Sequence, residues 1–278
     1  MLRLEYEWRS IPTPLVGLMR CAILFTYYRN PTSCEERLRI LRRINPGMRI
    51  YGLYSGSHQG RADFQAVQAA LDADYSHPER EPQWLWRNYD KVICEWFRNG
   101  GEQLEWDFLF IHSWDLLLLE PISTFSDPLG SGQVLLPGLR TLEQMDEQVI
   151  DPRMPPLVPG RWRWANEPDF TEFLAYLKQH YSSAAQIYCE VSPFAIISRP
   201  CCVAYNAVAG EIPGFNEYRF ATVAHLLGIA FARPHLPPWF WKRYDPDRHP
   251  LSSESVLTRD TQLFHPVYYP VTCEDLGL

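Results

Sequence analysis

The chain has 278 residues, a net charge of −7 and a pI near 5.6. A composition that is 46% apolar and 14% aromatic is typical of a globular protein with a sizeable core, and it excludes a disordered chain. The mildly acidic balance lacks the basic face that duplex nucleic-acid binders usually carry. We therefore expect no nucleic-acid partner.

Nothing in the sequence predicts secretion or a membrane span. The apolar stretch PLVGLMRCAILFTYY is interrupted by Arg20, so it falls short of the roughly 18 uninterrupted apolar residues that a spanning helix needs. No signal-peptide cleavage pattern is visible. The seven cysteines are irregularly spaced, which matches neither a disulfide framework nor a zinc site. The sequence thus predicts a cytoplasmic location.

Strand and helix patterns alternate along the first part of the chain. Ser33 and Glu36 form a capping-box pattern at the start of the first helix, and Asn45-Pro46-Gly47 ends it. We predict strands at 20–29, 48–56 and 107–112, and further helices over 61–72 and 83–98. Such alternation predicts an α/β protein with a mostly parallel central sheet flanked by helices. Ligands of these sheets bind at the carboxyl ends of the strands.

The later part of the chain is less regular. Residues 121–169 are rich in proline and glycine, which predicts excursion loops instead of regular helix or central strand. Beyond them we predict a helix near 169–180, a strand within 188–199, and a helix over 216–227 that ends at Gly228.

The stretch DFLFIHSWDLLLLEP, residues 107–121, places His112 and Asp115 at the end of a buried apolar strand. Moving an imidazole and a carboxylate toward the interior costs several kcal/mol unless each finds a partner. Together they are ligands that a hard divalent cation accepts. On spacing alone, the simpler interpretation is that Asp115 caps a turn and a backbone carbonyl satisfies His112.

This same stretch resembles the central strand of GT-A-fold glycosyltransferases, the nucleotide-diphospho-sugar transferase superfamily. In that family an apolar strand delivers an acidic DxD-type motif to a metal ion. Asp115 matches the last acidic position, while His112 or Ser113 stands where the family usually has its first aspartate. FHPVYYP is similar to the tail in which some members supply a late histidine to the metal, which here is His265. Without the resemblance, His265 is interpreted as a turn residue before Pro266.

Two further stretches resemble the donor and acceptor strands of the family. AILFTYYRNP is similar to the first strand, whose end holds the nucleotide base and ribose; this implies a donor site at Thr26, Tyr27 and Arg29, with Ser113 beside it. SPFAIISRP resembles the acceptor-side strand that runs into a serine-arginine pair, which here is Ser198-Arg199.

GFNEYRFATVAHLLG resembles the family's helix in which a carboxylate near the helix start faces the acceptor. That carboxylate is Glu217, with Glu211 as a nearby alternate. The functional interpretation is a general base that removes a proton from an acceptor hydroxyl. The alternative is a first-turn glutamate stabilised by the helix dipole and paired with Arg219 or another cation. Both interpretations stay open.

Two segments combine aromatic and basic residues: Arg161-Trp162-Arg163-Trp164 and residues 238–243. Aromatic faces stack on sugar rings and arginine binds phosphate, so Trp164 is a candidate acceptor-side residue. The same composition suits peripheral contact with the inner face of a membrane. The simplest interpretation is that these aromatic residues cover the edge of the sheet.

The resemblance implies a single GT-A-like, Rossmann-like domain over 1–278. Residues 20–125 form the nucleotide-sugar-binding half, 126–168 a loop excursion, and 169–278 the acceptor-side half and tail. It implies a glycosyltransferase that uses Mn²⁺ or Mg²⁺ to move a sugar from a nucleotide-sugar donor to a carbohydrate or glycan-lipid acceptor hydroxyl. The alternatives are a non-catalytic sugar- or nucleotide-binding scaffold of the same fold and a metal-dependent hydrolase. The sugar, the nucleotide, the acceptor, the stereochemistry and the oligomeric state are left open.

Overall fold

The computed structural model describes residues 19–78, 80–127, 129–137, 139–146, 168–181, 186–190, 194–232, 239–240, 263–265 and 267–278. Trp164 and most of the two aromatic-basic segments lie outside these residues.

The helices and strands follow one another in this order: β1 Cys21–Tyr27, α1 Pro31–Ile44, β2 Arg49–Tyr54, α2 Gln65–Ala69, β3 Ala73–Ser76, α3 Pro82–Arg87, α4 Tyr89–Arg98, β4 Phe108–Ser113, β5 Leu117–Leu118, α5 Ser123–Ser126, β6 Arg140–Thr141, α6 Leu142–Asp146, α7 Pro168–His180, β7 Tyr188–Cys189, β8 Phe194–Ser198, α8 Arg199–Asn206, α9 Asn216–Leu226, β9 Trp239–Phe240 and β10 Leu263–Phe264. Short 3-10 turns occupy Gln59–Phe64 and Gly101–Gln103.

The central sheet has five strands in the order β3-β2-β1-β4-β8. The first four run parallel, and β8 pairs antiparallel with β4. Thr26 near the end of β1 is aligned with Leu53 of β2 and with Ser113 of β4. The predicted α/β fold with a mostly parallel central sheet is therefore confirmed, and the three predicted strands lie side by side at its centre.

The central strands are mainly apolar because helices cover both faces of the sheet. On one face, Phe25 and Phe110 pack with Leu38 of α1. On the other face, Leu24 packs with Trp96 of α4. Each fully buried side chain of this size contributes about 1.5–3 kcal/mol relative to exposure. This two-sided burial fixes the sheet and leaves its carboxyl edge for polar residues.

Helix α1 begins three residues earlier than the capping-box pattern indicates. Asn30, at φ 49°, is the N-cap, and its side chain accepts a hydrogen bond from the backbone N–H of Ser33 at 3.1 Å. Pro31 occupies the first helical turn, where its missing N–H costs nothing. Ser33 is buried inside the first turn, so the cap predicted at Ser33 is replaced by the cap at Asn30.

Two predicted helices are shorter than expected. The pattern over 83–98 forms α3 and α4, with a break at Asn88, whose side-chain amide donates to the carbonyl of Trp84 at 3.0 Å. The pattern over 61–72 yields a 3-10 turn and α2, and the chain then enters β3. The helices near 169–180 and 216–227 are present as α7 and α9.

The described part of the 121–169 region contains short regular elements that its composition did not predict. These are α5, β6 and α6, and β6 pairs antiparallel with β7. Leu135 also bridges to Ile196 at the outer side of β8. The described part of this region therefore packs against strand β8, at the edge of the central sheet.

The C-terminal segment returns to the end of β4. Strand β10 pairs antiparallel with β5, and β9 pairs with β10. A separate small core forms here from Ile40, Leu117, Phe264, Val267 and Val271. This pairing carries residue 265 to the carboxyl edge of the central sheet.

None of the helices in the described ranges is long and apolar enough to cross a membrane. All seven cysteines are free thiols.

Candidate functional site

Asp115 and His265 meet just beyond the carboxyl end of β4. The Asp115 Oδ2 atom lies 3.4 Å from His265 Nε2, and the two side chains are 14% and 17% exposed. The Ser113 hydroxyl donates to Asp115 Oδ1 at 2.5 Å. The backbone N–H of Val267 donates to the carbonyl of Asp115 at 2.8 Å. The tail and β4 therefore hold a carboxylate and an imidazole together in a position that solvent still reaches.

The surroundings of Asp115 favour its ionised form. Burial by itself would raise the pKa of Asp115, but the neighbouring His265 and the hydrogen bonds from His265 and Ser113 outweigh burial and hold that pKa below its usual range. A carboxylate that stays charged while partly buried is suited to binding a cation.

The pair fits a divalent cation that also has ligands from outside the protein. Mg²⁺ binds oxygen ligands at about 2.0–2.1 Å, so that neighbouring ligand atoms lie roughly 3 Å apart, and it usually keeps waters and substrate phosphates. The 3.4 Å between Asp115 and His265 is close to that spacing, and Ser113 orients the carboxylate. No group of three His, Cys, Asp or Glu side chains suited to a metal occurs among the described residues. The remaining ligands would be water and diphosphate oxygens.

His112 faces away from this pair into the core. Its ring is fully buried, and its centroid lies 5.7 Å from that of Phe25 and 6.0 Å from that of Phe110. Burial and the nearby Arg37 lower the pKa of His112 to about 3. Since successive residues of a strand point to opposite faces, Ser113 contacts Asp115 and His112 does not. Burial argues against His112 as a ligand of a solvent-borne complex.

Of the three predicted donor residues, only Arg29 is exposed. Thr26 is 3% exposed, and its hydroxyl accepts from the Tyr89 hydroxyl at 2.7 Å and donates to the His112 carbonyl at 3.3 Å. Tyr27 is fully buried, and its hydroxyl donates to Asp74 at 2.8 Å. Direct contact of Thr26 or Tyr27 with a nucleotide has no support in this geometry.

An aromatic cluster beside the pair was missed in the sequence. Tyr28 and Tyr268 are 41% and 48% exposed, and both pack on Trp114, with ring centroids 5.9 Å and 5.8 Å apart. The Arg29 guanidinium lies 5.4 Å from the Tyr28 ring centre. The available signal was that Tyr28 directly follows a buried strand. Exposed rings beside a charged pair can stack on a base or a sugar.

A pocket that opens to solvent lies on the α4 side of the sheet. Glu217, in the first turn of α9, lines it together with Glu190, Asp90 and Tyr89. Tyr89 also donates to the Thr26 hydroxyl on β1, so one residue of the pocket wall contacts the carboxyl end of β1. The role of Glu217 toward an acceptor stays a prediction.

One of the two open interpretations pairs Glu217 with Arg219, but Arg219 forms its ion pair with Asp90. The Arg219 guanidinium is fully buried and pairs with both carboxylate oxygens of Asp90, with Nε 2.8 Å from Oδ2. The Tyr205 hydroxyl also donates to Asp90. These contacts join α4, α8 and α9 behind the pocket.

The sequence did not single out Glu190 either. It is 7% exposed, and its backbone N–H donates to the Glu217 carbonyl at 2.8 Å. Burial raises the pKa of Glu190 well above its usual value, and the carboxyl groups of Glu217 and Asp90 add to the shift. The signal in the sequence was a single acidic residue inside the apolar run YCEV.

Ser198 and Arg199 lie at the opposite edge of the sheet from Asp115. Because β8 is antiparallel to β4, Ser198 is aligned with Phe108, the first residue of β4. The Ser198 hydroxyl accepts from the N–H of Cys201 as the N-cap of α8, and Arg199 Nε donates to the Trp106 carbonyl at 2.8 Å. The expectation that this pair faces the acceptor needs correction, since both residues have structural roles here.

The other predicted acceptor-side residues do not extend the site. Glu211 is exposed in the turn before α9 and is not among the residues that line the pocket. Trp164 lies outside the described residues. Glu217 is therefore the predicted acceptor-side residue that the structure places in the pocket.

No protein-family model matches the sequence, and no curated protein matches it. Solved structures that are similar in chain path include the following three. An active-site mutant of LgtC has a TM-score of 0.42 and 11% identity, covering 90% of this chain and 88% of that chain. WbbM, a bifunctional glycosyltransferase, has a TM-score of 0.43 and 8% identity, covering 94% of this chain and 47% of that chain. A glycosyltransferase involved in the glycosylation of the major capsid of PBCV-1 has a TM-score of 0.41 and 10% identity, covering 88% of this chain and 92% of that chain. Similarities at these TM-scores carry no argument about activity.

Proposed function

We propose that the chain is a metal-dependent glycosyltransferase that moves a sugar from a nucleotide-sugar donor to an acceptor hydroxyl. The observation that supports this most is the contact between Asp115 and His265, which two distant segments deliver to one point. That point lies at the carboxyl edge of a mostly parallel sheet, where ligands of such folds bind.

The residues around this point have separate tasks in the proposed reaction. Asp115 and His265 hold Mn²⁺ or Mg²⁺, and Ser113 fixes the orientation of the carboxylate. Such a cation, when bound, offsets negative charge on the departing nucleoside diphosphate. Arg29, exposed at the same edge, is placed to bind phosphate oxygens, and Tyr28 offers a ring face for the base.

Glu217 is the residue proposed to act on the acceptor. Its position in the first turn of α9 directs it into the pocket that Tyr89 joins to β1. If the transfer inverts the anomeric centre, Glu217 removes the proton from the acceptor hydroxyl. If the transfer retains the anomeric configuration, the role of Glu217 stays open.

A second candidate is a binding module that keeps the fold without transferring sugar. Ser113 supplies a neutral hydroxyl where the family usually has a carboxylate, and the described residues hold no cluster of three metal-ligating acidic, histidine or cysteine side chains. A module of this kind would bind the nucleotide or the sugar and show no turnover with any acceptor.

The experiment is a calorimetric titration of the full chain with nucleoside diphosphates in the presence and absence of Mn²⁺. We expect Asp115→Asn to weaken Mn²⁺-dependent binding at least roughly 100-fold, about 2.7 kcal/mol. His265→Ala should weaken it by a smaller factor, because the carboxylate supplies the charge that the cation requires.

The matched control is Asp127→Asn. Asp127 is an exposed carboxylate whose charge lies near Cys21, at the opposite end of β1, so its removal should leave binding unchanged. Wild-type affinity in Asp115→Asn would reject the metal site. Binding by the wild type without transfer to any acceptor would favour the binding module.

A further inference from the structure

The pocket beside the Asp115 site is acidic at one end and apolar elsewhere. Its carboxyl groups belong to Asp90, Glu190 and Glu217. The rest of the wall is mainly apolar and includes Ile93, Ile111, Phe194, Ile197 and Phe220. Such a wall suits the neutral body of a small ligand, with the carboxyl groups fixing its orientation.

Two described cations near the pocket, Arg219 and Lys91, already have hydrogen-bond partners. Arg219 is fully buried and forms its ion pair with Asp90. The Lys91 ammonium lies 3.4 Å from the Gly210 carbonyl and donates to it. Among the described residues that line the pocket, three are acidic and none is basic.

Glu190 supplies an independent sign of a ligand. It is 7% exposed, and its Oε2 atom has no hydrogen-bond partner within the described part of the chain. A buried polar atom without a partner is unfavourable. Glu190 lines the pocket, so a donor group placed beside its carboxyl group would remove this cost.

We propose that the pocket binds the acceptor through a primary ammonium group held by Glu190, with the neutral remainder of the acceptor against the apolar wall and Glu217 left to act on the acceptor hydroxyl. This inference rests on the proposed function and names the acceptor class, which is an amine-bearing alcohol such as an amino sugar. Acceptors that carry phosphate or carboxylate are excluded, because like charges repel strongly where water is scarce.

An ammonium group fits better than a neutral hydroxyl for two reasons. Hydrogen bonds between charged partners are roughly twice as strong as neutral ones. A cation also favours the ionised form of Glu190, which burial and the neighbouring Glu217 and Asp90 oppose in the free protein by raising the pKa of Glu190. Binding of an amine therefore shifts Glu190 toward its ionised form.

The test compares ligands that differ only in charge, titrated into the full chain at neutral pH. The two pairs are glucosamine with glucose, and n-butylamine with n-butanol. We expect the charged member to bind roughly tenfold more tightly, about 1.4 kcal/mol. Glu190→Gln should reduce this preference to within about twofold, because glutamine keeps the size of the side chain but cannot become anionic.

Two further variants make the result specific. Glu172→Gln removes an exposed carboxyl group outside the pocket and should keep the full preference. Glu190→Asp keeps the charge but withdraws it by one methylene, so an intermediate preference is expected; this variant also serves if Glu190→Gln does not fold.

Several outcomes would overturn the inference. Equal binding of charged and neutral members, or binding of neither member in both pairs, excludes an ammonium site. The Mn²⁺ and nucleoside diphosphate titration on the same preparation separates this failure from failure of the proposed function. If nucleotide binding holds and the amine preference fails, only the acceptor class is wrong. If the preference holds without nucleotide binding, the pocket is an amine site outside any sugar transfer.

Discussion

Glu190 and Asp115 are two largely buried carboxyl groups whose pKa values are shifted in opposite directions. Burial raises both pKa values, and at Glu190 the nearby Glu217 and Asp90 add to this effect. At Asp115, His265 and the Ser113 hydroxyl stabilise the anion and outweigh burial. The difference follows from the neighbours of each group, not from depth. A cation that binds at Asp115 would meet a carboxylate that is already ionised. An amine that binds at Glu190 would meet a carboxyl group whose ionisation burial opposes.

The raised pKa of Glu190 predicts a specific pH dependence of stability. The folded state binds the Glu190 proton more tightly than the unfolded state, so its contribution to stability is fully present below the unfolded pKa, near 4.3. That contribution is lost as the pH rises through the raised folded pKa, by at most about 1.4 kcal/mol per pH unit. Glu190→Gln should therefore match the wild type near pH 4 and exceed its free energy of unfolding at pH 7–8, as measured by urea unfolding.

The control for this prediction is Glu211→Gln, because Glu211 is exposed. Its difference from the wild type should not change with pH. A Glu190→Gln variant that is less stable than the wild type at pH 8 would show that the carboxylate of Glu190 is stabilised in the fold.

The pair of Asp90 and Arg219 connects three helices. Asp90 lies in α4 and Arg219 in α9, and the Tyr205 hydroxyl of α8 donates to Asp90. Arg219 also reaches the Asn88 side chain at the break between α3 and α4, where its Nη2 lies 3.3 Å from Oδ1. One buried ion pair thus fixes the helices that form the back of the pocket.

We predict that Asp90→Leu destabilises the fold by about 3–5 kcal/mol, because it leaves the Arg219 guanidinium buried without its anion. The double variant Asp90→Leu, Arg219→Leu should recover most of this loss, since apolar residues often replace a buried pair at little cost. Chemical unfolding of both variants measures the difference. If the double variant is no more stable than the single one, the loss comes from packing and not from the unpaired charge.

Local sequence patterns located the central strands but not the contacts between distant segments. The apolar runs at Cys21–Tyr27 and Phe108–Ser113 are strands because burial on both faces requires them to be apolar. The break at Asn88 was missed although it has a local bond to Trp84, and Arg219, far along the chain, also donates to the Asn88 side chain. Ser198 and Arg199 were predicted at the wrong end of the sheet for a similar reason. An apolar run does not show whether its strand is parallel or antiparallel to its neighbour, and β8 is antiparallel to β4.

The candidate site was partly predictable for the same reason. Asp115 follows a recognisable apolar strand, but only the family resemblance singled out His265, because no local pattern links it to β4. Tyr28 and Glu190 were missed although each has a local signal, a ring directly after a strand and an acid inside an apolar run. Exposure and partners depend on the packed molecule, so neither signal could be interpreted before the fold was known.

At the scale of the whole molecule, the C-terminal segment is attached separately from the two main cores. Val267 and Val271 pack in the small core with Ile40 and Leu117. Arg37 of α1 is buried and lies 3.4 Å and 3.3 Å from the carbonyl oxygens of Val267 and Tyr269, to which it donates. Burial lowers the pKa of Arg37 to about 10, so it remains charged at neutral pH. A limited set of contacts thus holds His265 in place.

This attachment predicts that the tail opens without unfolding of the sheet. Regions with few buried apolar contacts open at lower free energy than the core strands. Native-state hydrogen exchange should show that the amides of Phe264 and Val267 exchange faster than those of Ile23 and Leu24 in β1. Addition of Mn²⁺ with a nucleoside diphosphate should slow exchange in the tail, because the ligand binds only the form in which His265 is in place.

Val271→Ala tests whether the tail is an independent unit. Val271 is buried in the small core, and loss of its methyl groups should cost about 1–2 kcal/mol. We expect faster exchange at Phe264 and Val267 and unchanged exchange at Ile23 and Leu24. The apparent dissociation constant of the donor should rise as the fraction of molecules with a closed tail falls. Val203→Ala, at a valine that is 50% exposed, should change none of these. If Val271→Ala accelerates exchange equally in the tail and in β1, the tail opens only when the whole molecule unfolds, and donor binding then reports global stability instead of the position of His265.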